Sequence, residues 1–431
     1  MFWLAGVLIL FFGLLVSIAL HELGHMSFAK LFGVRVPQFM VGFGPTMWSF
    51  RRGETEYGIK WIPLGGYIRM IGMLPPRRGD APGQVRQVST GPWQGLIENA
   101  RGAALEEIRP GDEERVFYSK KWWQKLLIMF GGPAMNLVLA VLFFSILLMG
   151  IGRETPQPVI QSVSKCVVSA SQANGQCPAN APLTPAAQAK LQAGDRIVSF
   201  DGHKITSYTQ LQGLIRDSAG RTVAIDIRRN GQDVKASVPI IRNKMADLKD
   251  TQKTVEVGFL GITPTSAYVQ QGPGAVASTM GDMTGRTVGA LVNMPKKMVG
   301  IWKAAFGNEK RDPNGPVGVV GVSRMGGEVA ASHDLTTLQK VSVFIGLLGS
   351  LNLAVGLFNL VPLLPLDGGH MAGALLEALK KGFARLTRRP DPGYVDVAKA
   401  LPVTYVMAAV LVVMGGLLIY ADLVNPIKLN G

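Results

Sequence analysis

The sequence is poor in the residues from which most structural metal sites and disulfide frameworks are built. Its 431 residues include only two cysteines, Cys166 and Cys177, and five histidines. Two cysteines cannot build a structural zinc site by themselves. They could pair as one disulfide in an oxidising compartment or remain two thiols, and the sequence leaves both open.

Charge is absent from four long stretches, residues 2–20, 126–152, 341–366 and 402–420. Each is close to or longer than the ~20 residues that a helix needs to cross the hydrocarbon of a bilayer. A buried core helix could explain one such stretch, but not all four together. The sequence therefore predicts a polytopic α-helical membrane protein with about four transmembrane helices, rather than the two or three soluble domains that length alone would suggest.

The first apolar stretch lacks the marks of a cleaved signal peptide. No Lys or Arg precedes it and no small-residue cleavage site follows it. It runs instead directly into His21-Glu22-Leu23-Gly24-His25. We therefore predict a retained span.

The chain also lacks a nucleic-acid-binding motif, although its net charge is +15. The basic residues are dispersed through the polar segments, without the clustered patch that nucleic-acid recognition requires. They indicate attraction to anionic lipid, so the expected partner is the bilayer and not nucleic acid. Lys and Arg near the spans predict that 32–124 and 371–400 are cytoplasmic and that 153–340 and the tail 423–431 are extracytoplasmic.

The chain divides into predicted segments between and around the apolar stretches. The first loop contains a membrane-associated β-hairpin at 54–70, with two short strands joined around 63–66, and a flexible insertion at 79–117. Gly131-Gly132-Pro133 is predicted to interrupt the second helix near its start. A linker at 266–340 carries an amphipathic helix at 285–305 that could lie along the membrane surface. The transmembrane helices themselves are predicted at 1–31, 125–152, 341–370 and 401–422.

The large outer segment, 153–265, reads as an inserted α+β module. Residues 191–202 predict a turn, a short strand and a second turn, followed by a helix at 207–217. Strands at 221–229 and 232–240 flank Asn230-Gly231, a dipeptide that favours a tight hairpin turn.

The chemistry is concentrated at the end of the first apolar stretch. His21 and His25 are four residues apart, so on a helix both imidazoles face the same side. Glu22 lies beside them, where it could take a proton from a metal-bound water. Such side chains at the end of a span are costly unless they serve a function. We therefore predict a zinc site with Glu22 as general base.

A catalytic zinc site needs a third protein ligand and leaves the fourth position open. His203 and His333 lie in predicted outer segments, which leaves Asp367 and His370 beyond the third apolar stretch. Asp367 is preferred because the flanking prolines and glycines break the helix, and a bent backbone can aim its carboxylate at the metal. A helix-capping role for Asp367 stays open. His370 is a weaker rival, since we expect it to point to solvent.

These motifs resemble those of site-2 proteases, the intramembrane zinc metalloproteases. The resemblance rests on His21-Glu-Leu-Gly-His25 and Leu366-Asp367-Gly368, and it extends over nearly the whole chain. Further matches are Gly131-Gly-Pro-Ala-Met-Asn136, Gly65-Gly66, Asn359-x-x-Pro362 and a single PDZ domain in the outer segment. Val41-Gly-Phe-Gly-Pro45 and Arg51-Arg-Gly-Glu-Thr-Glu-Tyr57 are similar to the actinobacterial members of the bacterial branch that cuts anti-sigma factors.

The resemblance implies a zinc metalloendopeptidase of the bacterial plasma (inner) membrane, with one zinc ion near the cytoplasmic side. Its expected substrates are single-span membrane proteins such as anti-sigma factors, cut as the second step of regulated intramembrane proteolysis, and possible further substrates are remnant signal peptides. Asn359 would hold backbone groups of an unwound substrate. The hairpin with Gly65 and Gly66 could add the substrate as an extra strand. An inter-helix hydrogen bond for Asn359 and an ordinary β-turn for the hairpin stay open.

Three other functions compete with this interpretation. A membrane-anchored PDZ scaffold has no reason to keep the four residues His21, Glu22, His25 and Asp367 together. A zinc protease acting on prenylated or soluble peptides would take a Glu as third ligand, but Glu377 lies in a soluble-looking segment. A zinc transporter needs polar ligands on several spans, and the second and fourth apolar stretches supply almost none.

Overall fold

The fold is known from a computed structural model that describes residues 2–76, 91–167, 177, 181–247, 254–307, 309, 311–312 and 315–426. The chain forms two compact units, one made of Met1–Gly150 with Gly272–Gly431 and the other of Ile151–Gln271. The helices, in chain order, are α1 (Phe2–Leu31), α2 (Pro92–Glu106), α3 (Trp122–Ser145), α4 (Pro185–Gln188), α5 (Tyr208–Asp217), α6 (Pro273–Val292), α7 (Met294–Phe306), α8 (Val319–Ala331), α9 (Thr337–Asn359), α10 (Asp367–Leu386) and α11 (Leu401–Val424). The strands are β1 (Gln38–Arg52), β2 (Thr55–Arg69), β3 (Arg153–Val163), β4 (Arg196–Phe200), β5 (His203–Lys204), β6 (Thr222–Arg229), β7 (Gln232–Pro239), β8 (Ile241–Ala246), β9 (Thr254–Phe259) and β10 (Ile262–Val269).

Four helical segments of the described chain are long and apolar enough to cross a membrane. They are Phe2–Leu31, Trp122–Ile151, Thr337–Asn359 and Val397–Val424. The second consists of α3 and a π-helical turn, and the fourth of a 3-10 turn and α11. The prediction of about four transmembrane helices is confirmed at this level. The third span helix ends at Asn359, earlier than the predicted 341–370, because a separate helix begins at Asp367.

Glycines let α1 pack closely against α3 and α8 in the first unit. α1 crosses α3 at Gly24 and Gly131, where a methyl group on either glycine would collide with the backbone of the other. Near the other end of α1, a Cβ on Gly6 would lie 2.6 Å from the Ala330 Cβ on α8. Small residues at such crossings are the usual means of bringing helix backbones together where lipid replaces water.

The predicted interruption at residues 131–133 is wrong. α3 runs through Pro133 without a break. A proline removes one backbone donor, but it does not end a helix whose neighbours pack tightly around it. The two glycines before Pro133 serve the close approach to α1 rather than a break in α3.

The hairpin also differs from the prediction. Residues 54–70 were predicted to form both strands of a hairpin, but they do not pair with each other. Their partner is β1, and the chain reverses near Gly53, which has a φ of +62°. Residues 38–41 of β1 lie opposite both 56–59 and 66–69 of β2, so Gly65-Gly66 belongs to a strand and not to the loop of a hairpin. The alternating pattern of 54–70 identified the strand, whereas its partner lies outside that segment. Many of the large apolar side chains of this hairpin are exposed, among them Phe43, Trp48, Trp61 and Ile62.

Two further segments are more regular than predicted. Residues 92–106, within the predicted flexible insertion 79–117, form α2, whose Arg101 pairs with Asp396 at 2.8 Å. Residues 79–90 lie outside the described part of the chain. The amphipathic stretch 285–305 is divided between α6 and α7 at Asn293, because Pro295 starts a helix more readily than it continues one.

The second unit is an antiparallel sheet with a small apolar core. The strand order is β10-β3-β4-β6-β7, β5 pairs with β4, and β8 and β9 form a separate pair. The helix predicted at 207–217 is observed as α5. The Asn230-Gly231 turn joins β6 to β7 with φ values of +48° and +86°. Fully buried side chains of the core include Ile197, Phe200, Leu211 and Ile225.

A disulfide and a buried ion pair stabilise the second unit. Cys166 and Cys177 form a disulfide, which decides between the two states that the sequence left open. Asp195 is fully buried and pairs with Arg229 at 2.7 Å. Burial opposes ionisation of Asp195, but hydrogen bonds from Arg229 and from the Gln192 N–H outweigh it and hold the pKa of this carboxyl below its usual range.

Candidate active site

Two imidazoles face each other across one turn of α1. His21 and His25 are both buried, with 8% and 4% of their surface exposed. Their Nε2 atoms lie 3.2 Å apart. The Nδ1 atom of His25 lies 2.8 Å from the carbonyl oxygen of Ile128 on α3. Because a carbonyl only accepts, Nδ1 carries the proton and Nε2 is left with a free lone pair, the arrangement usual for a metal-binding histidine.

Asp367 reaches these imidazoles from the first residue of α10. The chain turns sharply between the end of α9 and Asp367, and a Cβ on Gly368 would lie only 2.5 Å from the carbonyl oxygen of Leu360. This turn brings the Oδ2 atom of Asp367 to 3.3 Å from His21 Nε2 and 3.2 Å from His25 Nε2. The structure thus brings together the three residues that the sequence nominated as metal ligands.

The donor set fits a zinc ion. The three atoms form a triangle with sides of 3.2, 3.2 and 3.3 Å. Tetrahedral zinc with nitrogen and oxygen ligands at 2.0–2.2 Å would hold them about 3.3 Å apart. Two imidazoles and one carboxylate also leave a fourth position, as catalytic zinc sites do.

Glycines bring backbone close to these side chains. A Cβ on Gly132 of α3 would lie 2.7 Å from the Nε2 atom of His21 and would collide with Nε2 of His25. A Cβ on Gly66 of β2 would lie 3.0 Å from the Cγ atom of Glu22. A side chain at position 132 would displace the imidazoles, and a side chain at position 66 would require Glu22 to shift slightly.

One cavity of about 450 Å³ is lined by all of the residues predicted as general base, metal ligands and substrate-binding residues. His21, Glu22, His25 and Asp367 line it, and so do Asn359 at the end of α9 and the Gly65-Gly66 pair of β2. Glu22 is half-buried in its wall. The hairpin and the three packed spans therefore contribute to a single site.

The expectation for His370 was wrong in one respect. Its side chain is half-buried and lines this cavity instead of pointing to solvent. It stays outside the group of three atoms close enough to share a metal ion. Glu377, the alternative Glu ligand, is committed elsewhere, because its carboxylate pairs with Lys125 at 2.7 Å and with Lys381 at 2.8 Å.

Sequence reasoning missed three polar residues in the cavity wall. Ser17 on α1 and Asn352 on α9 line it, and Asn136 on α3 had been noted only as part of a motif. A polar side chain inside an uncharged apolar stretch was a usable signal, because such groups are expensive in a membrane. The sequence does not tell which of these side chains face a common cavity.

Comparison with known proteins agrees with the geometry. The chain matches Peptidase family M50, the family of the site-2 proteases, over residues 9–389. It is 32% identical to the zinc metalloprotease Rip1 of Mycobacterium tuberculosis, over the full length of both chains. It is 26% identical to the regulator of sigma-W protease RasP of Bacillus subtilis, covering 86% of this chain and 89% of that protein.

The family match and the relatives define the class of protein. The chain belongs to Peptidase family M50 and is a zinc metalloprotease with several membrane spans. Its cofactor is zinc. This finding favours the protease over the scaffold and the transporter considered above.

Proposed function

We propose that the chain hydrolyses peptide bonds inside the transmembrane segments of other membrane proteins, with zinc held by His21, His25 and Asp367. The observation that carries the proposal is the triangle of Nε2, Nε2 and Oδ2 atoms, with sides of 3.2–3.3 Å, among helices apolar enough to span a membrane. A soluble protease does not need such long apolar helices around its active site. A site enclosed by spans suits a substrate that is itself a span.

The proposed chemistry assigns the proton transfers to Glu22. Zinc, when bound, supplies a Lewis acid that polarises the scissile carbonyl and makes water acidic near neutral pH. Glu22 lies one residue from His21 and lines the same cavity, so its carboxylate can accept the proton of the attacking water. It then delivers that proton to the leaving amine nitrogen. His21, His25 and Asp367 would hold the ion, and Gly132 leaves the space that they need.

Substrate binding is the second task, because a transmembrane helix keeps its peptide groups in its own hydrogen bonds. We assign to Asn359 the holding of backbone groups freed when the substrate helix unwinds. Gly65 and Gly66 would let an extended substrate pass close to β2 and pair with it as an added strand. The support for both roles is that these residues line the cavity with Glu22 and Asp367. Exposed apolar side chains on β1 and β2 suit a hairpin that dips into the membrane.

The second unit is proposed to be an extracytoplasmic PDZ domain. An antiparallel sheet with a helix between β5 and β6 supports this assignment, as does the disulfide between Cys166 and Cys177. The unit would bind newly formed C-termini or exclude substrates with bulky outer domains. A disulfide persists in an oxidising compartment, which agrees with an outer location.

The proposed location is the bacterial plasma (inner) membrane, with the active site near the cytoplasmic side. Lys120, Lys121 and Lys125 at the start of the second span, and the basic stretch 380–389, support this orientation. The proposed substrates are single-span proteins such as anti-sigma factors, cut as the second step of regulated intramembrane proteolysis. The name of RasP, a regulator of sigma-W protease, supports this class. Remnant signal peptides are a second class.

The test uses purified zinc-loaded protein in detergent and a single-span reporter peptide whose products are identified by mass spectrometry. Wild type should cut inside the apolar segment. Glu22→Gln should lower cleavage by at least about a hundredfold, because it removes the proton acceptor. The matched control Glu106→Gln, at an exposed position at the end of α2, should cut like wild type. Cleavage only outside the span, or full activity of Glu22→Gln, would sink the proposal.

A further inference from the structure

Two amide oxygens in the cavity wall have no role in the site described so far. Asn136 on α3 and Asn352 on α9 are each 2% exposed. The Oδ1 atom of each is buried and has no hydrogen-bond partner among the residues that the structure describes. Both residues line the cavity that contains His21, Glu22 and Asp367.

These amides converge with Asn359. Asn352, Gly356 and Asn359 are spaced by four and three residues, so they share one face of α9. A Cβ on Gly356 would lie 3.3 Å from the Asn136 Cβ, so Asn136 faces α9 between the other two asparagines. Three amide side chains thus approach one another from two spans.

The cluster lies about one helical turn from the metal ligands. Asn136 follows Gly132 by four residues, and a Cβ on Gly132 would lie 2.7 Å from His21 Nε2. On α1, Ser17 precedes His21 by four residues, and its Oγ accepts a hydrogen bond of 3.0 Å from the Nδ2 atom of Asn352. One turn of an α-helix advances about 5.4 Å, a distance that an extended peptide covers in about two residues.

The atoms of Asn136 and Asn352 that are buried without a partner among the described residues are both acceptors. The Nδ2 group of Asn352 is occupied by Ser17 Oγ and by the Leu348 carbonyl at 2.8 Å, so the buried Oδ1 is the atom of this amide that has no partner among the described residues. The Oδ1 atom of Asn136 is likewise buried and has no hydrogen-bond partner among the described residues. A buried acceptor without a partner is costly, and leucine would fill either position without that cost. An unpaired acceptor is therefore suited to a ligand that brings N–H donors into an apolar cavity.

Resting on the proposed function, we propose that Asn136 and Asn352 form, with Asn359, an amide-lined subsite that accepts backbone N–H groups of the unwound substrate. An extended peptide inside an apolar cavity has such donors, and they need acceptors as much as these oxygens need donors. The subsite recognises the peptide backbone and not side chains, so it would accept many apolar sequences. Water could supply O–H donors of the same chemistry, and the experiment separates the two sources.

The experiment is a double-mutant cycle between the enzyme and the backbone of a single-span reporter. Each amide near the cut, except the scissile bond, is replaced in turn by an ester, which removes one N–H. Cleavage efficiency is measured for zinc-loaded wild type, Asn136→Leu and Asn352→Leu. Any change in the helical stability of the reporter cancels, because each enzyme meets the same ester peptides.

We expect one or two ester positions to lower wild-type cleavage about five- to tenfold and to have little effect on the matching Asn→Leu variant. Asn136→Leu should retain zinc and melt no lower than wild type, since it removes an unpaired buried group. The control Ser350→Ala removes a hydroxyl that donates to the Gly346 carbonyl of its own helix, and it should respond to every ester as wild type does.

Ester effects that are the same in wild type and both Asn→Leu variants would overturn the inference and assign the oxygens to water or to packing. Ser17→Ala is the control for structural damage in Asn352→Leu. Both variants lose the hydrogen bond between Asn352 and Ser17, but Ser17→Ala keeps the Oδ1 atom of Asn352. It should retain the ester coupling of wild type. If wild type fails to cut the all-amide reporter within its span, the proposed function fails. If wild type cuts that reporter but shows no coupling, only the subsite fails.

Discussion

Gly132 is the residue at which the second span meets both imidazoles. A Cβ at this position would collide with Nε2 of His25 and would lie 2.7 Å from Nε2 of His21. Glycine leaves that space free because it has no Cβ. Both Nε2 atoms belong to the triangle that fits zinc. The proposed metal site therefore depends on a residue that can bind no metal itself.

Gly132→Ala should remove most of the bound zinc, because the added methyl group displaces the imidazoles while the helix itself is favoured by alanine. Zinc per protein, measured by atomic spectroscopy after purification, should fall at least about tenfold for a ligand displacement of this kind. The control is Gly415→Ala on α11, where a Cβ would meet nothing within 4 Å. Full zinc content in Gly132→Ala would contradict this account of the site.

At the residue scale, the sequence could reveal side chains but not their surroundings. His21, Glu22 and His25 were predictable because helical periodicity fixes their common side within one turn. Asp367 was predictable by eliminating other candidates at membrane ends. The solvent exposure expected for His370 was wrong, because the turn before α10 folds that helix back against the cavity. The unpartnered oxygens of Asn136 and Asn352 depend on packing between distant spans, which no local pattern encodes.

At the scale of elements, a buried ion pair joins α10 to the start of α3. Glu377 and Lys125 are 2% and 5% exposed, and their side chains meet at 2.7 Å. Lys381 pairs with the same carboxylate, and the Tyr394 ring lies 5.0 Å from the Lys125 ammonium. α10 begins with Asp367, and α3 supplies the carbonyl that orients His25. The pair therefore connects the two helices on which the proposed metal site depends.

Lys125→Met should destabilise the protein by about 3 kcal/mol, near the lower end for breaking a buried pair, because Lys381 still faces the carboxylate. Thermal unfolding in detergent and zinc content should both decrease. Lys125→Met combined with Glu377→Leu should recover much of the loss, since no buried charge is then left without its partner. The exposed pair of Arg228 and Asp233 offers the control, and Arg228→Met should change neither quantity. Unchanged unfolding in Lys125→Met would contradict the role of the pair.

The elements were predictable where local pattern decides and unpredictable where a distant partner decides. Asn230-Gly231 and the alternation around it indicate β6 and β7 because turn chemistry and strand period are local. The pairing of β2 with β1 depends on residues outside 54–70. The continuity of α3 through Pro133 depends on the packing of neighbouring spans. The boundary between α6 and α7 was predictable from Pro295, but the amphipathic pattern continues across that residue and indicated a single helix.

At the scale of the whole molecule, the chain inserts one unit into another. Residues 151–271 form a compact unit between the second and third spans of the first. The number of consecutive uncharged, apolar residues is enough to predict the spans, because a helix needs a minimum length to cross a bilayer. The proposed side of the membrane for each polar segment rests on the distribution of Lys and Arg and, for residues 151–271, also on the disulfide.

Orientation predicts a difference in labelling between two introduced cysteines. Ala246→Cys, at the end of β8, should react with a membrane-impermeant maleimide on intact cells. Gln84→Cys, at a position outside the described residues, should react only after the cells are permeabilised. Cys166 and Cys177 are bonded to each other and should contribute no background. Labelling of Gln84→Cys from outside would reverse the assigned topology.

The central claim is that His21, His25 and Asp367 hold the zinc ion on which Glu22 depends. It is tested most directly by measuring zinc content and reporter cleavage together in wild type, Glu22→Gln and Asp367→Ala. The account predicts one zinc per wild-type chain, zinc without cleavage in Glu22→Gln, and the loss of both in Asp367→Ala. Wild type without zinc, or Asp367→Ala with full zinc and full cleavage, would contradict it.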